Sequence, residues 1–234
     1  MEFFEQWMPN VVAYWDKFLE CCTATLQMFL LAGIFTFIFG FLFGIILTTT
    51  KKDGISPNAT LYGIVNVITN VFRSIPFVIL LIFIIPLTRL VVGTSIGVKG
   101  AILPLVFGAT PFYTRQVESA LATVDEGKIE AARSMGSGTL GIIFRVYIKE
   151  SVPEVVRATT ITAISLVGLT TMAGAVGAGG IGSFAINYGQ NQHHQDIVNL
   201  CVVILLIVVS LIQIIGNKLA RQTTNRALFV HKAK

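Results

Sequence analysis

The stretch TVDEGKIEAARSMGSGTLGIIFRVYIKESVP, residues 123–153, is the only long polar segment in a chain built mostly of apolar runs. Thr123 and Glu126 have the hydroxyl-x-x-carboxylate spacing of a capping box, in which each side chain bonds an amide that the first helical turn leaves unpaired. This spacing predicts a helix that begins at about Val124. The whole stretch is predicted to form a helical hairpin on the surface of the protein.

Glycines divide the hairpin into two helices. Gly136 and Gly138 supply the positive-φ residue that closes a first helix, and the hydroxyl of Thr139 is predicted to cap a second one. Apolar residues recur at three- and four-residue spacing in that second helix, which predicts one apolar face with Arg145 and Lys149 on the other. The residues of the predicted apolar face are Leu140, Ile143, Phe144, Tyr147 and Ile148.

The first hairpin helix carries Glu130-Ala131-Ala132 and ends near Gly136. Small side chains here let another surface approach closely around the carboxylate of Glu130. A short match of this kind is weak by itself, because alanine and glutamate are good helix formers that often occur together. The alternative is a solvated carboxylate on a helix surface.

The composition is that of a membrane protein. Hydrophobic residues make up 54% of the chain, only 12% are charged and the mean hydropathy is +0.77, whereas about 25% charged is usual for soluble domains. The net charge of +5 is explained by basic cytoplasmic loops rather than by a nucleic-acid partner. Cys21, Cys22 and Cys201 fit no metal or disulfide spacing, and Glu2 and Glu5 argue against a cleaved signal peptide.

Long apolar runs predict an all-α, polytopic membrane protein with five transmembrane helices. Pro104 and Pro111 are predicted to bend the third span, and Pro153 to end the second hairpin helix before the fourth begins. Gly40 and Gly44 in the first span indicate close helix packing, within the chain rather than in a dedicated dimer motif. The predicted spans are residues 24–47, 75–92, 101–121, 155–176 and 197–215.

Charged groups near the spans are predicted to lie at one interface. Residues 58–72 are only moderately apolar, so they either lie along the membrane or extend a helix below it, with Arg73 at the interface. Ser74-Ile75-Pro76 then marks the entry into the second span. Arg115 and Glu118 are spaced to pair at i and i+3, a structural role favoured over a role in the pore.

Most lysines and arginines fall in the loop 49–58, the hairpin and the C-terminal tail, which the positive-inside rule places in the cytoplasm. The N-terminus is therefore predicted outside and the C-terminus inside. The resulting organisation has an amphipathic N-terminal lead at 1–20, a transmembrane domain at 21–216 and a basic cytoplasmic tail at 217–234.

A glycine-rich stretch follows the predicted fourth span. It is either a flexible external loop or a helix end and gate packed tightly at a pore, where glycine permits close backbone approach. Hydroxyls in the fourth span, such as those of Thr159, Thr160, Thr162 and Thr170, either line a polar path or return their bond to the helix backbone. His193-His194 is interpreted as a solvated pair rather than a metal site. The gate and pore candidates are Met172, Gly174, Gly177, Gly179 and Gly180.

Glu130-Ala131-Ala132-x-x-x-Gly136 resembles the EAA motif of permease subunits in binding-protein-dependent ABC importers, with Lys149 where the family pattern has a proline. Residues 72–77, 92–97 and 173–182 are similar to segments of methionine ABC transporter permeases. The resemblance implies a type I importer permease fold in a bacterial inner membrane, where the motif docks on an ATPase. The implied partners are a second copy of the chain, two cytoplasmic ABC ATPase subunits, an external methionine-binding protein and membrane lipid.

No Gly-x-x-x-x-Gly-Lys-Ser/Thr phosphate loop occurs in the sequence, and Gly93 to Lys99 is only a near miss. The chain is therefore not expected to hydrolyse ATP itself, and no cofactor or metal is expected. Two alternatives stay open: a permease for another amino acid or small solute, and an ion-coupled carrier. A membrane enzyme is a third class, but no nucleophile, base and orienting group converge in the sequence.

Overall fold

The computed structural model describes the backbone of residues 8–232 and the side chains of residues 8–224. Within that range every regular element is helical, so the predicted all-α class is confirmed. The helices are α1 (Pro9–Ala13), α2 (Trp15–Thr50), α3 (Ala59–Ser74), α4 (Phe77–Phe83), α5 (Ile85–Val92), α6 (Gly97–Leu121), α7 (Glu126–Ser134), α8 (Thr139–Ile142), α9 (Ile148–Ala173), α10 (Gly180–Phe184) and α11 (Gln195–Lys232). Single π-helical segments cover Ile143–Tyr147, Gly174–Ala178 and Ala185–Gln190.

Three of the described helical stretches are long and apolar enough to cross a membrane: Trp15–Thr50, Thr139–Ala178 and Gln195–Thr224. A fourth is obtained if α3 and α4, which are interrupted at Ile75-Pro76, count together as one span. The break at Ile75-Pro76 agrees with the entry point predicted there. The count of five spans stays a prediction.

The chain divides into two compact units. The first comprises Met1–Phe35, Ile75–Ala109 and Ile164–Leu211, and the second comprises Thr36–Ser74, Thr110–Ala163 and Ile212–Lys234. Residues 1–7 of the predicted lead and the side chains of the tail beyond residue 224 lie outside the described residues.

The first unit has two apolar clusters. One joins Met28 of α2 to Leu105 of α6 and Leu166 of α9, all of them fully buried. The other joins Phe18 of α2 to Phe184 of α10, whose rings lie 5.6 Å apart, together with Val11, Ile181, Ile197 and Cys201. The second cluster holds α1, the first turns of α2 and α10 in one apolar contact.

The second unit is built on close contact between α2 and α6. A Cβ placed on Gly44 would lie 2.5 Å from Cγ1 of Val117, and one on Gly40 would lie 2.6 Å from Cδ1 of Tyr113. The two glycines therefore serve packing within the chain, as the sequence predicted. Tyr113 and Val117 belong to an apolar cluster of buried residues that also includes Ala132 and Tyr147 of the hairpin.

The apolar run 75–92, which was predicted as the second span, is not one continuous α-helix. It is divided into α4 and α5 at Ile84, and Pro86 lies in the first turn of α5. Proline has no amide hydrogen to continue the helical ladder, but it suits the first turn of a new helix, where that bond would be absent anyway. The apolar character of the run is the same on both sides of Ile84, so hydropathy alone does not predict where the helix is interrupted.

The prediction that Pro153 ends the second hairpin helix is wrong, because α9 runs from Ile148 through Pro153 to Ala173. The prediction of a fourth span at 155–176 thus covers only part of a helical stretch that begins in the hairpin at Thr139. The proline falls in the second turn of α9, which begins directly after the π-helical segment Ile143–Tyr147.

The pair predicted between Arg115 and Glu118 is confirmed, with Nη1 and Oε2 2.6 Å apart. The other terminal nitrogen of Arg115 donates to the amide oxygens of Asn66 and Asn70 on α3, the latter at 2.7 Å. The guanidinium group of Arg115 on α6 therefore binds the polar side of α3 within the second unit. This arrangement supports the structural role over a role in the pore.

The threonine hydroxyls of α9 bond mainly to their own helix. Thr160 and Thr162 donate to the carbonyls of Val156 and Ala158 at 2.8 and 2.9 Å. Thr159 does the same and is also bonded to the hydroxyl of Tyr113. Of the two interpretations of these residues, the return of the bond to the backbone is the one observed.

Gly44→Ala should destabilise the protein, because overpacking a close helix contact costs about 1–3 kcal/mol. Gly63→Ala in α3 is the matched control, since a Cβ there meets nothing within 4 Å and alanine favours a helix. Thermal unfolding of the purified protein in detergent measures both. Equal unfolding temperatures for the two variants would contradict the packing described.

Candidate functional site

The first hairpin helix, α7, begins with a different cap from the one predicted. The carboxylate of Asp125 accepts the amide of Gly127 at 2.7 Å, and α7 starts at Glu126 rather than near Val124. The hydroxyl of Thr123 instead donates to the carbonyl of Ala120 at 2.8 Å, at the end of α6. The predicted capping box is therefore wrong. Thr123 and Asp125 are both suitable N-cap residues, and Asp125, which directly precedes α7, is the one that caps it.

The C-terminal end of α7 is closed by Gly136, as predicted, with φ of 80°. The amide of Gly136 donates to the carbonyl of Arg133 at 2.9 Å, and that of Ser137 donates to the carbonyl of Ala132 at 3.0 Å. These two bonds form a Schellman motif, which satisfies carbonyls that the helix end leaves unpaired. A side chain at position 136 would force an L-residue into the left-handed region.

Gly138 and Thr139 differ from their predicted roles. Gly138 has φ of −70° and occupies the N-cap position of α8, where no side-chain bond is made. Thr139 is the first residue of that helix instead of its cap. Only one of the two glycines therefore supplies the left-handed conformation.

The four residues of the motif divide between the surface and the core. Glu130, Ala131 and Gly136 are exposed, whereas Ala132 is buried in a cluster with Val124, Ile142 and Tyr147. The small side chain of Ala132 thus lets α7 lie close to the second hairpin helix. Glu130 and Ala131 stay available to another surface.

A cavity of about 190 Å³ lies beside α7 in the second unit, and Glu130 and Arg133 line it. Its other wall is the loop after α2, which contributes Lys51, Asp53 and Ile55. Arg133 spans from the helix to that loop and donates to the carbonyl of Ile55 at 3.2 Å. The sequence prediction used this loop only for its basic charge, and the charged residues beside Gly54 were the signal that it could line a polar site.

The predicted apolar face of the second hairpin helix is partly wrong. Ile143 and Tyr147 are buried, but Leu140 is 70% and Phe144 is 63% exposed. The exposed pair Leu140 and Phe144 and the buried pair Ile143 and Tyr147 each keep the i, i+4 spacing, so the helix buries a narrower face than the one predicted. Met135, at 79%, adds a third exposed apolar side chain to the hairpin.

A single ion pair joins the helices of the hairpin among the described side chains. Nζ of Lys128 on α7 lies 2.5 Å from Oε2 of Glu150 on α9, and both side chains are more than a third exposed. Exposed pairs contribute at most about 1 kcal/mol. The buried contacts of Ala132 and Tyr147, rather than this pair, hold the hairpin together.

The gate and pore candidates belong to the first unit, whereas the hairpin belongs to the second. Gly177, Gly179 and Gly180 all have positive φ, and Gly174 is so tightly packed that a Cβ would lie 2.6 Å from the carbonyl oxygen of Gly179. The segment is therefore tightly packed at Gly174 and Gly180, whereas a Cβ on Gly177 or Gly179 would meet nothing within 4 Å. Met172 is 45% exposed at the end of α9.

The chain matches the model of the family described as binding-protein-dependent transport system inner membrane component, over residues 40–226. It is 42% identical over 222 residues to a probable D-methionine transport system permease protein of Vibrio cholerae, covering 93% of this chain and 99% of the relative. It is also 42% identical over 216 residues to a methionine import system permease protein of Bacillus subtilis, covering 92% and 96%.

A chain from an inward-facing MetNI methionine ABC transporter superposes with a TM-score of 0.87 at 43% identity, over 90% of this chain and 98% of that one. A chain of an amino acid ABC transporter solved with histidines gives 0.76 at 16% identity, over 92% and 98%, which shows likeness of fold alone. The chain belongs to the family of binding-protein-dependent transport system inner membrane components.

Proposed function

We propose that this chain is the permease subunit of an ATP-driven importer that carries methionine across the bacterial inner membrane. The observation that carries the proposal is the likeness, over nearly the whole of both chains, to methionine permeases. The exposed Glu130-Ala131 surface of α7 and the Gly136 turn agree with it, because they give the docking element that such a subunit needs.

The partners follow from the same likeness. The chain pairs with a second copy, two cytoplasmic ABC ATPase subunits bind the hairpins, and an external methionine-binding protein delivers the substrate. No phosphate loop occurs in the sequence, so we assign ATP hydrolysis to the separate subunit. Membrane lipid covers the remaining apolar surface.

We infer five spans, with the N-terminus outside and the C-terminus in the cytoplasm. The concentration of lysine and arginine in the loop 49–58, the hairpin and the tail supports this orientation. The same orientation supports an N-terminal lead at 1–20, a transmembrane permease domain at 21–216 and a cytoplasmic tail at 217–234. It puts the hairpin on the side where ATP is available.

The hairpin has a surface suited to a partner. Glu130 and Ala131 are exposed beside the left-handed turn at Gly136, and Leu140 and Phe144 are exposed at i and i+4 on the following segment. Large apolar side chains exposed in a polar surround mark interaction sites. We assign this surface to the ATPase subunit.

Motion of the hairpin reaches the gate along the main chain. The helical stretch that starts in the hairpin at Thr139 continues to Ala173 and meets the glycine turn there. We infer that closure of the ATPase subunits moves α7 as a body and that this stretch carries the displacement. Met172, Gly174, Gly177, Gly179 and Gly180 then form the gate.

Reconstitution in liposomes tests the proposed function. The chain with its ATPase subunit and binding protein should take up methionine only when ATP is supplied, and the chain alone should take up none. Uptake by the chain alone, driven by an ion gradient, would establish the ion-coupled carrier instead. A binding protein that delivers another amino acid, with no methionine uptake, would establish a different importer.

Gly136→Leu should abolish uptake while the protein still inserts in the membrane. A residue other than glycine in the left-handed region costs roughly 1–2 kcal/mol, and the Schellman turn that fixes the end of the docking helix is lost. Gly138→Leu is the matched control, because φ there is −70° and a Cβ meets nothing within 4 Å. Normal uptake by the Gly136 variant would reject the role of this turn.

Phe144→Gln should weaken binding of the ATPase subunit about tenfold, in the range typical of an anchor residue at an interface. Lys149→Gln, at another exposed position a few residues further along the chain, is the control. Co-purification in detergent and titration with the purified ATPase subunit measure the affinity. Unchanged affinity for the Phe144 variant would place the docking surface elsewhere on the hairpin.

A further inference from the structure

The backbone amide of Ile181 needs a hydrogen-bond acceptor from outside its own helix. It lies in the first turn of α10, where helix amides have no partner inside the helix. Gly179 occupies the N-cap position and has no side chain to supply an acceptor. Ile181 itself is buried in the apolar cluster with Phe18 and Phe184, so an unpaired amide there would be costly.

Thr25 of α2, which is distant in the sequence, supplies this acceptor. Its hydroxyl oxygen accepts the amide hydrogen of Ile181 at 2.8 Å and donates its own hydrogen to the carbonyl of Cys21 at 3.0 Å. The hydroxyl therefore uses its one donor hydrogen and one of its two acceptor lone pairs. The donor bond to its own helix fixes the rotamer that points the oxygen at α10.

The contact is close enough to require glycine beside it. A Cβ on Gly180 would lie 2.6 Å from Oγ1 of Thr25 and 2.9 Å from Cε of Met28. Gly180 and Gly179 also have φ of 83°, so backbone conformation and close approach coincide at the point where the hydroxyl binds. The turn therefore lies directly against one face of α2.

A weaker polar contact joins the backbone amide of Gly180 to the thiol of Cys21 on α2, and the other described contacts of this cluster are apolar. Phe18 and Phe184 pack ring against ring at 5.6 Å, and Val11 joins the same cluster. Apolar contact is not directional, so it holds α10 near α2 without fixing its rotation. The hydrogen bond from Ile181 to Thr25 supplies direction, through a stronger acceptor than the thiol of Cys21.

We propose that Thr25 is a positioning residue of the gate: its hydroxyl holds the amide of Ile181 and thereby sets the orientation of the turn Gly177–Gly180. The inference rests on the gate assigned under the proposed function. Loss of the hydroxyl leaves α10 packed but free to rotate, so the gate no longer follows the hairpin. Transport then becomes uncoupled from ATP hydrolysis.

The test compares Thr25→Val, which keeps the shape and loses the hydroxyl, with Thr25→Ser, which keeps the hydroxyl. Thr23→Val is the matched control, because Thr23 is exposed on the same helix and bonds only the carbonyl of Glu20. Methionine uptake and ATP hydrolysis are measured together in liposomes that contain the complete complex. Uptake per ATP should fall about tenfold in T25V, because an unpaired buried amide shifts an equilibrium by about that factor and the shift here is away from the coupled orientation of the turn.

T25S and T23V should retain the wild-type ratio of uptake to hydrolysis. A merely structural role for Thr25 would lower the amount of assembled complex and leave that ratio unchanged, which would overturn the proposal. If T25V does not assemble, Thr25→Ala, which adds no group to the packing, is judged by the same ratio.

Hydrogen exchange separates this inference from the proposed function. If the wild-type complex takes up no methionine, the proposed function fails, but exchange at the amide of Ile181 still tests the hydrogen bond. Faster exchange at that amide in T25V than in T25S supports the positioning role. Equal exchange in the two variants overturns it.

Discussion

The backbone groups at helix ends are the constraint on which the structure depends. Every helix leaves amides at its start and carbonyls at its end unpaired, and those that lie inside a bilayer have no water to bind them. Each such end in the described residues needs its own solution, and those solutions fix where elements stop and turn. Asp125 opens α7, the Schellman turn at Gly136 closes it, and Asn58 accepts the amide of Leu61 at the start of α3.

The same constraint decides how much the sequence could predict. Gly136 was predictable because only glycine adopts the left-handed conformation without cost, and the pairing of Arg115 with Glu118 followed from helix geometry. The start of α7 was not, because Thr123 and Asp125 are both good caps and only the course of α6 shows which helix end each one serves. Residue spacing alone therefore identifies the possible caps but does not show which of them is used.

Other differences arise where apolar spacing and hydropathy do not say which side of a helix is covered or where a helix is interrupted. The face predicted with Leu140 and Phe144 was too wide, since only Ile143 and Tyr147 of its two i, i+4 pairs are buried. Hydropathy likewise does not show the break at Ile84 or the continuation of α9 through Pro153. The partners of the candidate site were hidden for another reason: Arg133 and Ile55 are far apart in sequence and meet only through the fold.

Within the hairpin, the residues that hold the helices together differ from those that are exposed to a partner. Ala132 and Tyr147 are buried together, which makes α7 and the following helix one packed body, whereas the ion pair of Lys128 with Glu150 is exposed and weak. A body held by buried packing moves without internal rearrangement when a partner displaces it, because well-packed interiors transmit strain. The apolar groups left on its surface, Leu140 and Phe144, are therefore free to bind a partner without weakening the hairpin that must carry the displacement.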